Sequence, residues 1–242
     1  MIRIEKLSKY YGDVKAVRSI SFQLSDHEIV GFLGANGAGK STTLKVITGF
    51  LSPTSGNVYI DGKNIFDHSL EIQEQIGYLP ELNPLYSEMK VYDYLKFHAE
   101  VRHITGDKFI QALKKVVNDC GLKGVINRKI GNCSKGFKQR IGLAAAMIHD
   151  PKILVLDEPV SGLDPNQIVE IRELIKGLGR EKLVLISSHI LQEIQATADR
   201  IIIINKGKIV ADGTSENLIS NAQGKTTLSM EIANATKESV EE

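Results

Sequence analysis

The sequence predicts an α/β protein with three parts: a mixed, largely parallel β-sheet core, an N-terminal antiparallel β subdomain and an inserted α-helical subdomain. One observation is the apolar run 29–33, which leads into a glycine-rich loop and then a helical pattern. A second is the alternation of strand and helix patterns after residue 151, typical of a parallel sheet. The third is a stretch of helical periodicity, roughly 85–150, that separates these two parts.

The first part of the chain reads mainly as strands. Apolar and polar residues alternate in 2–7 and 19–24, which predicts two half-buried antiparallel strands, and 28–33 predicts a buried third strand. Asp61-Gly62 indicates a tight turn between two extended pieces. A further strand is predicted over 75–79.

The middle and the end of the chain continue this pattern. Helical spacing of apolar residues predicts helices over 91–103 and 108–120, and a third from Ser134 to about Asp150. The strands predicted after them are 152–156, 183–187, 200–204 and 208–210, with one helix between the first two. The predicted organisation is a single domain, 1–242, with its core in 1–84 and 151–221, its helical subdomain in 85–150 and a polar tail in 222–242.

Composition restricts the class of protein. With 42% apolar residues, 24% charged residues and a formal net charge of +1, the chain is typical of a soluble globular protein and gives no general reason to expect nucleic acid as a partner. No apolar run reaches the ~20 residues that span a bilayer, and the first residues lack the apolar centre of a secretory signal. Cys120 and Cys133 lack metal-ligand spacing and are interpreted as packing residues.

The segment Gly34–Ser41, GANGAGKS, fits the phosphate-loop pattern G-x-x-x-x-G-K-[ST]. Its glycines let backbone N–H groups converge on an anion, Lys40 can reach the β and γ phosphates, and the Ser41 hydroxyl can ligate magnesium. The following helix directs its positive end at the same phosphates. A turn that merely joins a strand to a helix is the alternative. The motif predicts a P-loop NTPase core that binds nucleotide phosphates.

A second candidate element is ILVLDEP, which ends a predicted strand with two carboxylates. Asp157 would hold magnesium, directly or through water, and Glu158 would act as general base on an attacking water. Adjacent carboxylates can also cap the next helix or stay solvated. Their place at a strand end of the same core favours the catalytic interpretation.

Two further residues have both a structural and a functional interpretation. Asp164, followed by Pro165, fits the N-cap of a helix, and a cap alone would explain it. His189 ends the buried strand KLVLISS, where it could be an ordinary core histidine or could face a nucleotide.

The order of these segments resembles the nucleotide-binding subunit of ATP-binding cassette (ABC) transporters over nearly the whole chain. GANGAGKS is similar to the family's phosphate loop, ILVLDE to its second nucleotide motif, SGLD to its D-loop and Ser188-His189 to its switch histidine. Between the first two lies CSKGFKQR, residues 133–140, which resembles the LSGGQ-type signature. Tyr11, in KYYGDVKAV, matches the aromatic residue that stacks on adenine.

The resemblance implies that two such subunits enclose two ATP molecules with Mg²⁺, and that each phosphate loop faces the signature of the other subunit. The residues that it assigns are Tyr11, Gly34, Asn36, Gly37, Ala38, Gly39, Lys40, Ser41 and Thr42 for ATP; Ser134, Lys135, Gly136 and Phe137 for the ATP of the partner; Asp164 for the dimer seam; Ser41, Asp157 and Glu81 for magnesium; and Glu158, His189 and Lys40 for catalysis.

Two positions depart from the family pattern. In the signature, Cys133 stands in place of leucine and Lys135 in place of a glycine, while Ser134 and Gly136 remain. Lys135 could add positive charge toward a phosphate or point to solvent. Glu81 stands where most members have the Q-loop glutamine, so it can ligate magnesium but adds negative charge beside a triphosphate.

The resemblance implies an ATPase subunit that powers a membrane transporter by nucleotide-dependent dimer closure. Its partners would be an identical or related ATPase subunit and separate transmembrane permease subunits, contacted through the helical insertion and 78–89, with no nucleic acid. It would lie peripherally on the cytoplasmic side of the membrane. The segments IGYLPE and NPLY, together with an SKG-type signature, are similar to the corresponding segments of ABC-2 export ATPases. A cytosolic ABC-type ATPase acting on DNA or ribosomes, or a binding-only regulatory subunit, are the alternatives.

Overall fold

A computed structural model describes residues 1–222. All of the predicted tail except its first residue therefore lies outside the described residues. The strands are β1 (Ile2–Tyr11), β2 (Val14–Leu24), β3 (Ile29–Leu33), β4 (Ser55–Ile60), β5 (Lys63–Asn64), β6 (Ile76–Leu79), β7 (Ile153–Asp157), β8 (Leu183–Ser188), β9 (Arg200–Asn205) and β10 (Lys208–Gly213). The helices are α1 (Lys40–Ile47), α2 (Ser69–Gln73), α3 (Val91–Val101), α4 (Gly106–Asp119), α5 (Lys135–Met147), α6 (Pro165–Gly179), α7 (Leu191–Gln195) and α8 (Ser215–Ala222).

The strands form two sheets. An antiparallel sheet has the order β2-β1-β4-β5, and a six-stranded sheet has the order β10-β9-β3-β8-β7-β6. In the larger sheet, β9, β3, β8, β7 and β6 pair in parallel, and β10 joins the edge antiparallel to β9. The predicted α/β fold, with its mixed sheet and N-terminal antiparallel subdomain, is confirmed. Among residues 1–222, no helix combines the length and apolar character that crossing a bilayer requires.

The six-stranded sheet separates two apolar cores. On β7, Leu154 and Leu156 face a core shared with the helical insertion, whereas Ile153 and Val155 face a core shared with the antiparallel sheet and α1. Side chains of a strand alternate between its two faces, so an almost uninterrupted apolar strand serves both cores. Packing on both faces of the sheet therefore holds the carboxyl ends of these strands in place.

The helical insertion consists of α3, α4 and α5, as the periodicity predicts. Gly121 follows α4 with φ +64°, the left-handed conformation that ends a helix. Cys120 and Cys133 are both buried, and burial raises the pKa of Cys120 to about 12. Both cysteines are therefore packing residues, as expected.

Several predicted boundaries are wrong at the N-terminus. β1 continues to Tyr11 rather than ending at Leu7, and β2 begins at Val14 rather than Ser19. The β1–β2 register shifts after Ile4, and Lys6 and Ser19 adopt positive φ, so the alternation breaks within continuous strands. The helices α2, α7 and α8 were not predicted, since five to eight residues carry little helical periodicity.

Candidate nucleotide-binding site

The phosphate loop connects β3 to α1 through a left-handed backbone. Gly37 has φ +77° and Gly39, the N-cap of α1, has φ +110°. A β-carbon on Gly39 would lie 2.5 Å from the Ala16 carbonyl oxygen, so a side chain there would clash with backbone as well as strain it. Lys40 is the first residue of α1, and its side chain is buried.

The loop forms one wall of a cleft of about 710 Å³, a volume suited to a cofactor-sized ligand. The residues lining it are Asp13, Val14, Lys15, Ala16, Arg18, Ala35, Asn36, Gly37, Gly39, Lys40, Ser41, Thr42, Glu81, Glu158 and Lys206. The cleft therefore brings together residues predicted from three separate segments: the phosphate loop, the Q-loop position and the strand end at β7.

Three predicted catalytic side chains lie in contact. The Lys40 Nζ atom is 3.3 Å from Glu158 Oε1, and both side chains are 6% exposed. Lys40 also donates a hydrogen bond of 2.7 Å to the Gly34 carbonyl oxygen. His189 places Nδ1 3.0 Å from Glu158 Oε2, and its ring is partly exposed. The carboxylate of Glu158 thus connects the phosphate-loop lysine to the histidine at the end of β8.

Glu158 is held in an unusual backbone conformation, with φ +50°. Its N–H donates to the Ser187 hydroxyl at 3.0 Å, and that hydroxyl in turn donates to Asp157 Oδ1 at 2.5 Å. Asp157 and Ser187 are register partners on β7 and β8 and are fully buried. Ser187 therefore connects the Asp157 carboxylate to the Glu158 backbone, a role that the sequence does not predict because it requires the pairing of two distant strands.

Three cations that the sequence does not predict also line the cleft: Lys15, Arg18 and Lys206. Lys206 lies in the turn between β9 and β10, where the Gly207 N–H donates to the Ala38 carbonyl oxygen. This bond fixes the turn against the phosphate loop. Basic residues next to turns are common in any sequence, so only the folded chain shows that these converge on the cleft.

The predicted magnesium ligands are consistent with a hard cation. Ser41 and Glu81 line the cleft, and Asp157 lies at the adjacent strand end. All three offer oxygen atoms, which Mg²⁺ prefers. Among residues 1–222 no cluster of three or more His, Cys, Asp or Glu side chains could hold a metal by itself.

The signature residues lie elsewhere on the chain. Ser134 caps α5 by accepting from the Phe137 N–H at 3.3 Å, and Ser134, Gly136 and Phe137 line a depression of about 550 Å³ that shares no residue with the nucleotide cleft. The exposed Lys135 reaches across to the D-loop: a β-carbon on Gly162 would lie 2.0 Å from its Nζ atom.

Apart from Asp157 and His189, described above, four other predicted residues lie outside the lining of the cleft. Asp164 caps α6 by accepting from Gln167 N–H at 3.0 Å, which confirms its local role. Gly34 and Ala38, both within the phosphate loop, are buried. Tyr11 lies half-exposed at the end of β1, with its ring centroid 5.4 Å from Lys9 Nζ. Stacking of Tyr11 on adenine and contact of Asp164 with a partner subunit therefore stay predictions.

Several known proteins are similar to this chain in sequence or in structure. The family model described as "ABC transporter" matches residues 17–161. The bacitracin transport ATP-binding protein BcrA of Bacillus licheniformis is 38% identical over 88% of this chain and 69% of its own length. The lantibiotic transport ATP-binding protein SrtF of Streptococcus pyogenes is 37% identical over 90% and 94%. Among solved structures, cbiO1 of Clostridium perfringens, part of the ABC transporter complex cbiONQ, superposes with TM-score 0.81 at 27% identity over 92% and 91%.

Proposed function

Because the chain belongs to the ABC transporter family as an ATP-binding and ATP-hydrolysing subunit, we propose that it drives export through a separate membrane permease by ATP-dependent closure of a dimer. The other half of the dimer is a second copy or a related ATPase. The subunit lies at the cytoplasmic face of the membrane, attached through its permease.

One observation carries the catalytic part of this proposal: the 3.3 Å contact between Lys40 and Glu158 within the cleft lined by the phosphate loop. A phosphate-binding cation and a buried carboxylate are brought together from segments more than a hundred residues apart. This arrangement suits phosphoryl transfer to water, which needs a positioned phosphate, a base and charge stabilisation.

Each residue then has a role. Lys40 and the N–H groups of the loop hold the phosphates, and Glu158 takes the proton of the attacking water. His189, in contact with Glu158, orients that carboxylate and the water. Ser41, Asp157 and Glu81 would hold Mg²⁺, which when bound neutralises charge on the β and γ phosphate oxygens.

The signature supports a shared site. Ser134 and Gly136 open α5, so their N–H groups form an anion-binding helix terminus that the chain's own nucleotide cleft does not use. In the proposed dimer this terminus, with Lys135, faces the γ phosphate held by the other subunit, and Asp164 lies at the seam. Tyr11 stacks on the adenine.

Export is proposed from the relatives. BcrA and SrtF are named for transport of bacitracin and of a lantibiotic, and the resemblance of the IGYLPE and SKG segments to ABC-2 ATPases points in the same direction. The helical insertion and 78–89 provide the surface that contacts the permease.

The test combines turnover with assembly. In a phosphate-release assay, we expect Glu158→Gln to lower kcat by about 10² to 10⁴-fold, because a general base contributes that much, while ATP affinity is retained. In size-exclusion chromatography, the same variant should become dimeric with ATP and stay monomeric with ADP. A variant that turns over normally, or that remains monomeric with saturating ATP, would contradict the proposal.

A further inference from the structure

His189 lies at the point where β8 ends and the chain turns toward α7. The last register pair between β3 and β8 joins Leu33 to Ser188, so His189 follows directly after the paired part of the strand. Ser188 is 2% exposed, whereas the side chain of His189 is 41% exposed. The chain thus leaves the buried sheet within one residue, and the contact of His189 with Glu158 depends on how this short exit is held.

Two hydrogen bonds to Ser188 hold the main chain on either side of His189. On the amino side, the Gly34 N–H of the phosphate loop donates to the Ser188 carbonyl oxygen at 3.3 Å. On the carboxyl side, the Ile190 N–H donates to the Ser188 hydroxyl at 3.1 Å, a local bond that serine commonly makes to the residue two positions later. The conformation of Ser188 therefore decides where the His189 ring is presented.

The Ser188 hydroxyl is itself held by Glu193. It donates to Glu193 Oε2 at 2.6 Å, a short hydrogen bond to a carboxylate. A serine side chain can occupy three staggered rotamers, and the bond to Glu193 stabilises the one in which the hydroxyl oxygen also accepts from Ile190. Without this acceptor, the hydroxyl would be free to rotate, and the bond on the carboxyl side of His189 would weaken.

The link between Ser188 and Glu193 differs from an ordinary helix cap. Ile190 is the N-cap of α7 and makes no side-chain cap bond. In a capping box, the third helical residue, here Glu193, reaches back to the N–H of the N-cap. Glu193 instead accepts from the Ser188 hydroxyl, and that hydroxyl takes the Ile190 N–H. The carboxylate therefore acts across His189 rather than on the helix end alone.

Glu193 is anchored to the strand that leads into the phosphate loop. Its neighbour Ile194 is 1% exposed and packs against Gly31 of β3, where a β-carbon would lie 2.2 Å from Ile194 Cγ2. The Thr197 hydroxyl donates to the Glu193 carbonyl oxygen at 2.9 Å. The close approach of α7 to β3, which the missing side chain of Gly31 permits, thus fixes the backbone of Glu193 relative to the phosphate loop.

We propose that Glu193 is a positioning residue for ATP hydrolysis: through the Ser188 hydroxyl it holds the main chain at His189, which keeps the His189 ring in contact with Glu158. Ser188 needs from Glu193 an oxygen acceptor within hydrogen-bond reach, and the negative charge is not required. Glu193 lies outside the lining of the nucleotide cleft, so it acts on the reaction only through these two neighbours. That His189 acts in hydrolysis rests on the proposed function.

Three replacements of Glu193 separate reach from charge. Glu193→Gln keeps an oxygen acceptor at the same distance, whereas Glu193→Asp keeps the charge on a side chain that is one methylene shorter. In a phosphate-release assay, we expect Glu193→Ala and Glu193→Asp to lower kcat by about fivefold to tenfold, the equivalent of one hydrogen bond, with little change in KM. Glu193→Gln should retain about half of kcat or more. Gln192→Ala, exposed on the same helix, is the control and should match the original chain.

A double variant tests whether Glu193 acts through His189. His189→Ala alone should lower kcat more than Glu193→Ala does, because it removes the ring itself. Adding Glu193→Ala to His189→Ala should then cause no further loss, since residues that act through one another are not additive. A purely structural role of Glu193 would lower kcat by the same factor in both backgrounds.

Histidine-selective NMR reports the position of the ring in the absence of nucleotide. The His189 signals are assigned by their absence from the spectrum of His189→Ala. We expect the His189 Nδ1 resonance to shift in Glu193→Ala and Glu193→Asp, because the contact with Glu158 is disturbed, and to keep its position in Glu193→Gln. Urea denaturation confirms that each variant is folded; if Glu193→Ala is not, the contrast between the Asp and Gln variants decides.

The outcomes separate this inference from the proposed function. Normal turnover by His189→Ala would contradict the role of His189 in hydrolysis and overturn the inference with it. If His189→Ala is impaired, normal kcat in both Glu193→Ala and Glu193→Asp would overturn the inference alone. So would a Glu193→Asp variant that is more active than Glu193→Gln, or a further loss in the double variant, while the role of His189 stands.

Discussion

Lys40 and Glu158 form a buried ion pair of 3.3 Å between the start of α1 and the end of β7. The same ammonium is assigned to nucleotide phosphates and the same carboxylate to the attacking water. A triphosphate that draws Lys40 toward itself therefore weakens the hold of Lys40 on the carboxylate. Phosphate binding and release of the base are linked through a single cation.

Removal of this cation should weaken nucleotide binding. We expect Lys40→Ala to weaken ATP affinity by about tenfold to a hundredfold, because a charge-assisted hydrogen bond contributes about 1.5–3 kcal/mol. Isothermal titration calorimetry with MgATP measures the change. Lys45→Ala, on the same helix but outside the cleft lining, should bind normally. Equal affinities for Lys40→Ala and the original chain would contradict the role of Lys40.

Ser187 should matter for turnover more than for binding. Ser187→Ala leaves Asp157 and the Glu158 N–H without the hydroxyl that joins them. We expect the free energy of unfolding to fall by about 1–3 kcal/mol, the usual effect of an unpaired buried polar group, and kcat to fall while KM changes little. Urea denaturation and steady-state kinetics measure the two effects. Ser188→Ala, whose hydroxyl bonds to Glu193 instead, should lower kcat less; the reverse order would refute this assignment.

Glu81 should determine the magnesium requirement. If this carboxylate is a metal ligand, Glu81→Ala should raise the Mg²⁺ concentration for half-maximal turnover several-fold. Glu81→Gln retains one oxygen donor and should produce a smaller shift. The assay varies Mg²⁺ at constant ATP. An unchanged magnesium dependence in Glu81→Ala would show that Glu81 is not a ligand.

His149 should make stability depend on pH. Burial lowers its pKa from 6.5 to about 4, so between these values the unfolded chain takes up a proton that the folded chain does not. The contribution of His149 to the free energy of unfolding is therefore full above pH 6.5 and decreases as the pH falls toward 4. Urea denaturation at pH 7 and pH 5 should show a smaller pH-dependent loss in His149→Gln than in the original chain. Equal losses would rule out His149 as the source.

The parts of the site that the sequence predicts are those built from contiguous residues. Gly34–Ser41 specifies its own backbone through glycine, and Asp157 with Glu158 follows a strand whose apolar run is easy to recognise. The parts it misses depend on distant pairing. Ser187 meets Asp157 only because β7 and β8 are neighbours, and Lys206 meets the phosphate loop only through the turn after β9.

The fold likewise has parts that local sequence predicts and parts that it does not. Long periodic segments such as α4 and the buried strands were predicted in type and approximate extent. The limits of β1 and β2 were not, because bulges interrupt their alternation, and the short helix α2 carries too few residues for a period. Lys135 illustrates a further limit: its reach to Gly162 follows from how α5 packs beside α6, which local sequence does not encode.

Tyr78 and Glu81 are separated by two residues, yet Glu81 lines the nucleotide cleft, whereas Tyr78 lines a different cleft, of about 360 Å³, beside α3 and α5. Burial, together with the charges of Asp157 and Glu81, raises the pKa of Tyr78, so this hydroxyl lies in the electrostatic environment of two predicted magnesium ligands. By thermodynamic reciprocity, whatever factor ATP imposes on the affinity of any ligand that binds beside Tyr78, that ligand imposes on the affinity of ATP. Measuring how either ligand changes the affinity of the other therefore gives the coupling free energy between the two clefts.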